Sequence, residues 1–360
     1  MARDFVFVQT APGRVFVGWG PFEQLPFRRP ERPAFYVSDF FLDDPHPWRH
    51  PAEWEEVGVS DLASRLPGFP VARQPEIEWA ALAQGEFTTL FQSAQDSMAR
   101  GEFTKIVPVI FEHGALRGDG LLAHLVEQLA MLPPGLWAYG YVYKNHGMIG
   151  ATPELLFQAE RSGYRTMALA GTRAVARAEE LLTDAKERRE HRLVVDDIIR
   201  RLAPFGNIEV GPLGLLRLPS IAHLVTPIFF AEAGGSEKMS FAEMVRRLHP
   251  TAALGVSPRA PAGERWLREA DRGVKRRTFG APFGIEREDR SALALVAIRN
   301  VQWQGERVRI GSGAGLLAES QLDREWNEMR QKRDQVKALF GIEPARPAAL
   351  VGPASFRSAV

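Results

Sequence analysis

The distribution of apolar and polar positions divides the chain into strand-like and helix-like segments. Alternating or short unbroken apolar runs predict β-strands over residues 5–8, 14–19, 103–111, 136–143, 147–150, 155–158, 293–303 and 307–310. Apolar residues spaced three and four apart predict helices over residues 77–100, 119–132, 179–203, 240–248, 261–271 and 321–340. The strands follow one another without a regular βαβ order, which favours an α+β sandwich over a parallel doubly wound sheet.

No internal repeat and no linker divides the chain into separate units. We expect residues 1–80 to be the N-terminal part of the same domain as residues 81–341. The segment 342–360 follows the last predicted helix and is rich in Pro and Ala, so we expect a frayed tail there.

The composition of the chain excludes several classes of function. The 360 residues carry a net charge of +1, so neither nucleic acid nor a membrane surface is expected as a partner. No stretch approaches the roughly 20 apolar residues of a spanning helix, and the first residues lack the apolar segment of a secretory leader. The chain contains no cysteine, which excludes disulfides and thiolate chemistry and is compatible with a cytoplasmic location. A monomer or a weak dimer is expected, because nothing in the sequence demands a larger assembly.

The predicted helix that begins near Asp184 presents a pair of carboxylates. Asp184 and Glu187 have the spacing of a capping box, which places Glu187 in the first turn. Glu187 and Glu190 are three residues apart and therefore share one side of the helix, with His191 beside them. The apolar stripe of this helix comprises Val194, Val195, Ile198, Ile199 and Leu202.

The last predicted helix repeats this arrangement. Glu325 and Glu328 are again three residues apart, Lys332 lies one turn beyond Glu328, and the apolar stripe comprises Leu322, Trp326, Met329, Val336 and Leu339. If the two helices face each other, four carboxylates would not all stay ionised without a cation, and oxygen ligands favour Mg²⁺. The alternative is that both pairs are solvated surface charges balanced by neighbouring Arg and Lys residues.

Two further positions suggest acid–base chemistry. Alternation along 103–111 puts Lys105 on the apolar face of a strand, where an amine that is easily neutralised could act as a general base. Pro108 also allows the alternative that Lys105 extends to solvent from a strand edge. Glu154 follows a tight turn and leads into an apolar run, so a partly buried carboxyl could serve as a general acid there, or it could simply be a turn residue.

Anion-binding groups are also present. The glycine-rich turn 311–315 could present backbone amides to a carboxylate or phosphate, although a plain glycine turn is the alternative. It does not match a dinucleotide fingerprint, because no βαβ unit surrounds it. Arg299 lies in an otherwise apolar strand and suits bidentate binding of a carboxylate, unless it only reaches solvent from the strand end.

Taken together, these segments resemble the chorismate-utilising enzymes, a family that includes isochorismate, salicylate, anthranilate and aminodeoxychorismate synthases. The resemblance covers about residues 85–341, in blocks that follow the family's order. The blocks are FTKIVPV, GATPELL, LAGTR, LLTDAKERREH, AHLVTP, LHPTAALGVSPR, RRTFGAPFG, VAIRN, GSGAGLLAES and REWNEMRQK. It implies a large two-layer antiparallel β-sandwich flanked by helices, of the anthranilate synthase component I type, with the active site between the layers.

The resemblance also implies roles for individual residues, with chorismate as substrate and Mg²⁺ as cofactor. The implied metal ligands are Glu190 and Glu328, with Glu187 and Glu325 beside the metal or holding its waters. The groups implied to bind the substrate carboxylates are Arg299, Lys332 and the backbone of Gly313, Ala314 and Gly315. The residues implied to line the substrate ring are Ala170, Gly171, Thr172 and His223. Lys105 matches the base that activates water, and Glu154 matches the acid that protonates the departing hydroxyl.

Within the family, two positions favour an isochorismate synthase. The branch that forms amino products generally has glutamine where Lys105 stands, and aminodeoxychorismate synthases often have a nucleophilic lysine where Ala170 stands. Salicylate synthases tend to have tyrosine at the position of Phe279; Ala253, Leu254 and Ile298 also look more like isochorismate synthases. Salicylate synthase remains the main alternative, followed by anthranilate synthase component I and an inactive chorismate-binding relative. No glutaminase subunit is expected.

The sequence departs from the family pattern at several positions. Ile110 replaces an arginine, Ala252 a proline, Val256 a glycine and Ala281 a glycine. None of them coincides with an implied metal ligand, acid or base, so we expect an effect on substrate fit rather than loss of the chemistry.

Overall fold

The computed structural model describes residues 3–66, 74–233 and 238–343. Within these residues it contains nineteen strands and six α-helices. The strands are β1 (Phe5–Ala11), β2 (Arg14–Leu25), β3 (Ala34–Val37), β4 (Trp48–Gly58), β5 (Glu76–Trp79), β6 (Lys105–Ile106), β7 (Val109–Arg117), β8 (Trp137–Tyr143), β9 (His146–Thr152), β10 (Leu155–Glu160), β11 (Gly163–Ala174), β12 (Gly206–Val210), β13 (Gly214–Arg217), β14 (Ile221–Glu232), β15 (Val256–Ser257), β16 (Pro282–Glu286), β17 (Ala292–Val296), β18 (Asn300–Gln304) and β19 (Arg307–Gly313). The helices are α1 (Gly85–Ala99), α2 (Leu121–Gln128), α3 (Ala185–Leu202), α4 (Phe241–Leu248), α5 (Pro261–Val274) and α6 (Leu322–Leu339).

Seventeen of these strands form one antiparallel sheet that folds back on itself. Successive hydrogen-bonded pairs run β5–β7–β19–β18–β9–β8–β1–β2–β4–β3–β16–β17–β10–β11–β14, and β12 and β13 both pair with β14. The two halves of this path face each other: the ring centroids of Tyr139 in β8 and Phe283 in β16 are 5.2 Å apart, although their strands are not paired. The predicted α+β fold with antiparallel layers is confirmed.

Apolar residues of both layers meet in the interior. Val6, Val8, Tyr139, Phe283 and Leu295 belong to one buried cluster that joins strands of the two halves. Burial of such side chains is the main favourable term in folding, at about 25 cal/mol per Å² of apolar surface.

The helices cover the outer faces of this sheet. The predicted stripe of α3 is buried against β11 and β14, with Val194, Ile198 and Leu202 among the buried positions. In α6, Met329 and Val336 are fully buried, so the apolar faces of both glutamate-bearing helices are as predicted. No helix in residues 3–66, 74–233 or 238–343 is long and apolar enough to cross a membrane.

Four predicted elements are wrong in their extent. The predicted helix 179–203 is divided, because a 3-10 helix ends at Leu182 and α3 begins at Ala185, after the Asp184 cap. The predicted helix 77–100 begins only at Gly85, because the alternating Glu76–Trp79 segment pairs with β7 as β5. The predicted strand 103–111 is broken at Val107–Pro108, since proline has no N–H to donate to a ladder. The predicted strand 293–303 is interrupted before Arg299, whose φ of 55° lies in the left-handed region.

The N-terminal residues are part of this sheet. β1 pairs with β8 and β3 pairs with β16, so strands before residue 80 contact strands from the centre and the C-terminal half of the chain. Of the predicted tail, Ile342 is buried and its carbonyl accepts a hydrogen bond from Trp79 Nε1 at 3.1 Å. Residues 344–360 lie outside the described residues.

Candidate active site

A polar cleft lies where α3 and α6 meet the edge of the sheet. The residues around it come from β11, β14, the turn after β19 and the segments between strands. They include Glu154, Ala170, Gly171, Thr172, Glu190, His223, Arg299, Gly313, Gly315, Glu328 and Lys332. Most of the predicted site residues, from seven separate parts of the chain, therefore line one cavity.

The first glutamate helix is oriented by its cap. Asp184 accepts a hydrogen bond from the backbone N–H of Glu187 at 3.1 Å, as the cap prediction requires. The Glu187 side chain does not return to the cap; its Oε2 accepts from the backbone N–H of Thr172 at 3.2 Å. Glu187 and Glu190 are both buried on the side of α3 that faces the cleft.

The second glutamate helix contributes an ion pair at the cleft. Lys332 Nζ lies 2.6 Å from Glu328 Oε1, and it also donates to the carbonyl of Gly313 at 2.9 Å. Burial alone would raise the pKa of Glu328, but the neighbouring Lys332 and Lys186 outweigh it and lower that pKa. These two ammonium groups therefore favour the ionised form of Glu328.

Lys186, which the sequence analysis did not single out, stands among the other three carboxylates. Its Nζ lies 3.4 Å from Glu187, 3.6 Å from Glu190 and 3.0 Å from Glu325. Burial, followed by the charges of their carboxylate neighbours, raises the pKa values of Glu187 and Glu325 to about 7. The one indication of this contact in the sequence was that Lys186 lies four residues before Glu190, on the same side of the helix.

Lys105 is fully buried, as the alternation predicted, but not on the face of a continuous strand. β6 pairs with β15 in a separate two-stranded sheet. The Lys105 Nζ donates to the carbonyl of Ala252 at 2.6 Å and lies 3.3 Å from Glu190 Oε1. Its predicted alternative, extension to solvent from an edge, is wrong, because 0% of its side chain is exposed. The amine lies just behind the cleft wall.

Glu154 lies close to Lys105 and lines the cleft. Thr251 Oγ1 donates to Glu154 Oε1 at 3.4 Å, from the residue next to the Ala252 that binds Lys105. Burial raises the pKa of Glu154 to about 7, against the opposing effect of Lys105. A carboxyl with this pKa can hold a proton near neutral pH and release it, as a general acid must. Nothing in the sequence pattern pointed to Thr251.

Arg299 is positioned by a neutral histidine. Its Nη2 lies 3.5 Å from His223 Nε2, and because guanidinium only donates, Nε2 is the acceptor. The other ring nitrogen, Nδ1, then carries the proton and donates to Gly171 O or Thr172 Oγ1, each 3.1 Å away. Burial, reinforced by Arg299, lowers the pKa of His223 to about 3, so the ring stays neutral at physiological pH.

The backbone at Arg299 is strained. A φ of 55° is uncommon for any residue with a Cβ and costs of order 1–3 kcal/mol, a feature often found at functional sites. The Arg299 Nε is buried and has no hydrogen-bond partner among the described residues. The guanidinium therefore retains free donor capacity toward an anion in the cleft.

The glycine turn packs tightly against these groups. A Cβ added to Gly315 would lie 2.0 Å from Glu190 Oε1 and 3.0 Å from Lys105 Cε. The Ala314 N–H donates to Pro108 O at 3.3 Å, so this amide is already engaged within the protein. The turn thus brings its backbone directly against a candidate metal ligand.

The departures from the family pattern lie mainly in packing positions. Ile110, Val256 and Ala281 are buried apolar residues, and Ala252 contributes its carbonyl to Lys105. None of their side chains places a charged group in the cleft.

The four glutamates form a donor set that suits a divalent cation, although the Lys186 ammonium lies among three of them. Across the described segments no three acidic or histidine side chains converge on a single metal position. Glu325 Oε2 is nevertheless buried without a hydrogen-bond partner among the described residues. Four carboxylates, three of them buried and one of these with an orphaned oxygen, are ligands of the kind that Mg²⁺ prefers.

The sequence profile of the chorismate binding enzymes matches residues 63–340. The chain belongs to this family. The match extends over both glutamate helices, the Lys105 segment and the glycine turn, so the cleft described above lies within the family's shared region.

Named relatives come from two branches of this family. The chain is 30% identical over 299 residues to the salicylate biosynthesis isochorismate synthase of Pseudomonas aeruginosa, covering 78% of this chain and 60% of the relative. It is 32% identical to the isochorismate synthase MenF of Haemophilus influenzae, covering 68% of this chain and 57% of the relative. The anthranilate synthase component 1 of Methanothermobacter marburgensis is 26% identical, with shares of 71% and 56%. The chain thus spans somewhat more than half the length of these relatives.

Solved structures support the fold. The chain superposes on a putative 2,3-dihydroxybenzoate-specific isochorismate synthase, DhbC from Bacillus anthracis, with a TM-score of 0.80 and 19% identity. That superposition covers 94% of this chain and 96% of the other. The two-layer antiparallel architecture is therefore shared across nearly the whole length.

Proposed function

We propose that this chain is an isochorismate synthase that converts chorismate to isochorismate with Mg²⁺. The observation that carries the proposal is that two groups suited to acid–base chemistry lie at one cleft: the buried amine of Lys105 just behind its wall, and the lining carboxyl of Glu154, whose pKa burial raises to about 7. A base and an acid held together in a site with cationic anchors suit the exchange of a hydroxyl group on a dianionic ring. Lysine rather than glutamine at position 105 favours water over ammonia as the nucleophile.

The proposed reaction is an isomerisation, in which the product has the same atoms as the substrate. Lys105 acts as the base and takes a proton from water as the water oxygen attacks C2 of the ring. Glu154 gives its proton to the C4 hydroxyl, which departs as water while the ring double bonds shift. One water enters and one leaves, so product and substrate have the same mass.

The remaining residues bind and orient the substrate. Arg299 and Lys332 would neutralise its two carboxylates, with His223 and Thr172 along the ring. Glu190 and Glu328 would hold Mg²⁺, with Glu187 and Glu325 beside it. The metal supplies Lewis-acid charge that neutralises a substrate carboxylate.

The direct test is an incubation of purified protein with chorismate, with and without Mg²⁺, followed by chromatography and mass analysis. We expect a product isomeric with chorismate that forms only with the metal and disappears when a chelator is added. Salicylate with pyruvate would assign the neighbouring synthase activity, and an amino product formed only with ammonia would assign the anthranilate branch. No turnover under any of these conditions would refute an enzymatic role.

The acid role of Glu154 predicts a pH dependence. Because burial raises its pKa from 4.5 to about 7, the protonated acid persists up to near-neutral pH and is lost as the pH rises further. We expect kcat/KM to fall about tenfold per pH unit above about pH 7, measured at saturating Mg²⁺. Glu154→Gln should have low, residual activity without this alkaline limb. A wild-type profile that stays level to about pH 9 would contradict the assignment.

A further inference from the structure

The ammonium of Lys186 occupies the position where the carboxylates of two helices converge. Its nearest oxygen belongs to Glu325 on α6 at 3.0 Å, and the oxygens of Glu187 and Glu190 on α3 follow at 3.4 and 3.6 Å. No other cation in the described residues contacts carboxylates of both helices in this cleft. Lys186 therefore joins α3 to α6 electrostatically.

Lysines already neutralise part of this carboxylate cluster. Lys332 pairs with Glu328 at 2.6 Å, which leaves Lys186 as the cation among Glu187, Glu190 and Glu325. A divalent cation added among these groups would meet an ammonium at a few ångströms, and like charges at that distance in a buried site repel strongly.

Lys186 also has a route out of the cluster. Its side chain is 22% exposed, whereas that of Lys105 is 0% exposed. A flexible four-carbon stem lets the ammonium move to water without unfolding of the first turn of α3.

We propose that Lys186 is a built-in counter-cation that holds the glutamate cluster together in the metal-free protein and leaves it when Mg²⁺ binds. This inference rests on the proposed function, because it takes the four glutamates as the magnesium site. Binding of the metal must displace the ammonium, so the observed Mg²⁺ affinity is lower than that of the carboxylates alone. The same contact keeps α3 and α6 in register before the metal arrives.

The test measures Mg²⁺ binding by isothermal titration calorimetry to the full chain in the absence of chorismate. Lys186→Met retains the apolar stem and removes the charge, and we expect it to bind Mg²⁺ roughly tenfold more tightly than the wild type. Its metal-free form should melt at a lower temperature than the wild type, and saturating Mg²⁺ should raise that temperature more than it does in the wild type.

Two further variants separate displacement from general electrostatics. Arg188→Met removes a positive charge from an exposed position on the same helical turn and should leave Mg²⁺ affinity close to that of the wild type. Lys186→Arg retains the charge in a planar fork that can bind two carboxylates, so it should weaken Mg²⁺ binding. The arginine variant keeps the cluster neutralised and tests the idea even if Lys186→Met does not fold.

The outcomes distinguish this inference from the proposed function. Mg²⁺-dependent turnover of chorismate with unchanged or weaker metal binding in Lys186→Met would overturn the role of Lys186 alone. Equal tightening in Lys186→Met and Arg188→Met would also overturn it, since only net charge would matter. A wild-type protein that neither binds Mg²⁺ nor converts chorismate would overturn both.

Discussion

Lys105→Gln is expected to reduce isochorismate formation by about 10²–10⁴-fold, the usual contribution of a positioned general base. Glutamine can still donate to the Ala252 carbonyl that Lys105 binds at 2.6 Å, but it cannot take a proton from water. Because the loss affects the chemical step, kcat should fall while KM changes little. Steady-state kinetics with chorismate and saturating Mg²⁺ measure this directly.

A second buried lysine provides the control. Lys337 is also buried and pairs with a glutamate, Glu112 at 2.5 Å, but it lies outside the residues that line the cleft. Lys337→Gln should lower the melting temperature and leave kcat per folded molecule close to that of the wild type. If Lys105→Gln retains wild-type kcat, or if both variants lose turnover equally, Lys105 is not the base.

Gly315→Ala is expected to abolish most of the activity without unfolding the protein. The added Cβ would stand 2.0 Å from Glu190 Oε1, and the end of a flexible side chain can move away at modest cost. That movement would separate Glu190 from Lys105 and displace a candidate metal ligand. Calorimetry should show weaker Mg²⁺ binding, and circular dichroism should show an unchanged fold.

Gly273→Ala is the matched control for this change. Gly273 lies in α5, where a Cβ would meet nothing within 4 Å, so alanine should be neutral or slightly stabilising. Normal Mg²⁺ affinity and turnover in Gly315→Ala would show that the close packing of the turn against Glu190 has no functional consequence.

Local periodicity was enough to predict which functional groups share one face of an element. A helix repeats about every 3.6 residues, so the spacing of Glu187 with Glu190 and of Glu325 with Glu328 placed each pair on one side of its helix. The apolar stripes on the same helices predicted which side is buried, and Asp184 predicted where α3 begins. Alternation likewise predicted a buried Lys105.

Which of these groups come into contact depends instead on long-range packing. The distance between Lys105 and Glu190 depends on how β6 and α3 come together across 84 intervening residues, which no local period records. The same is true of Thr251 beside Glu154. The strand breaks at Pro108 and Arg299 also depend on the fold. A missing N–H or a left-handed residue interrupts a strand only if a neighbouring strand would otherwise pair at that position.

The contacts of Lys186 show most clearly what a sequence pattern does not predict. Its spacing to Glu190 is readable in the sequence, but its contact with Glu325 requires α6 to lie across from α3. Periodicity reports which residues share a face of one element. Long-range packing of the sheet and helices decides which faces meet, and therefore where charges converge strongly enough to bind a cation.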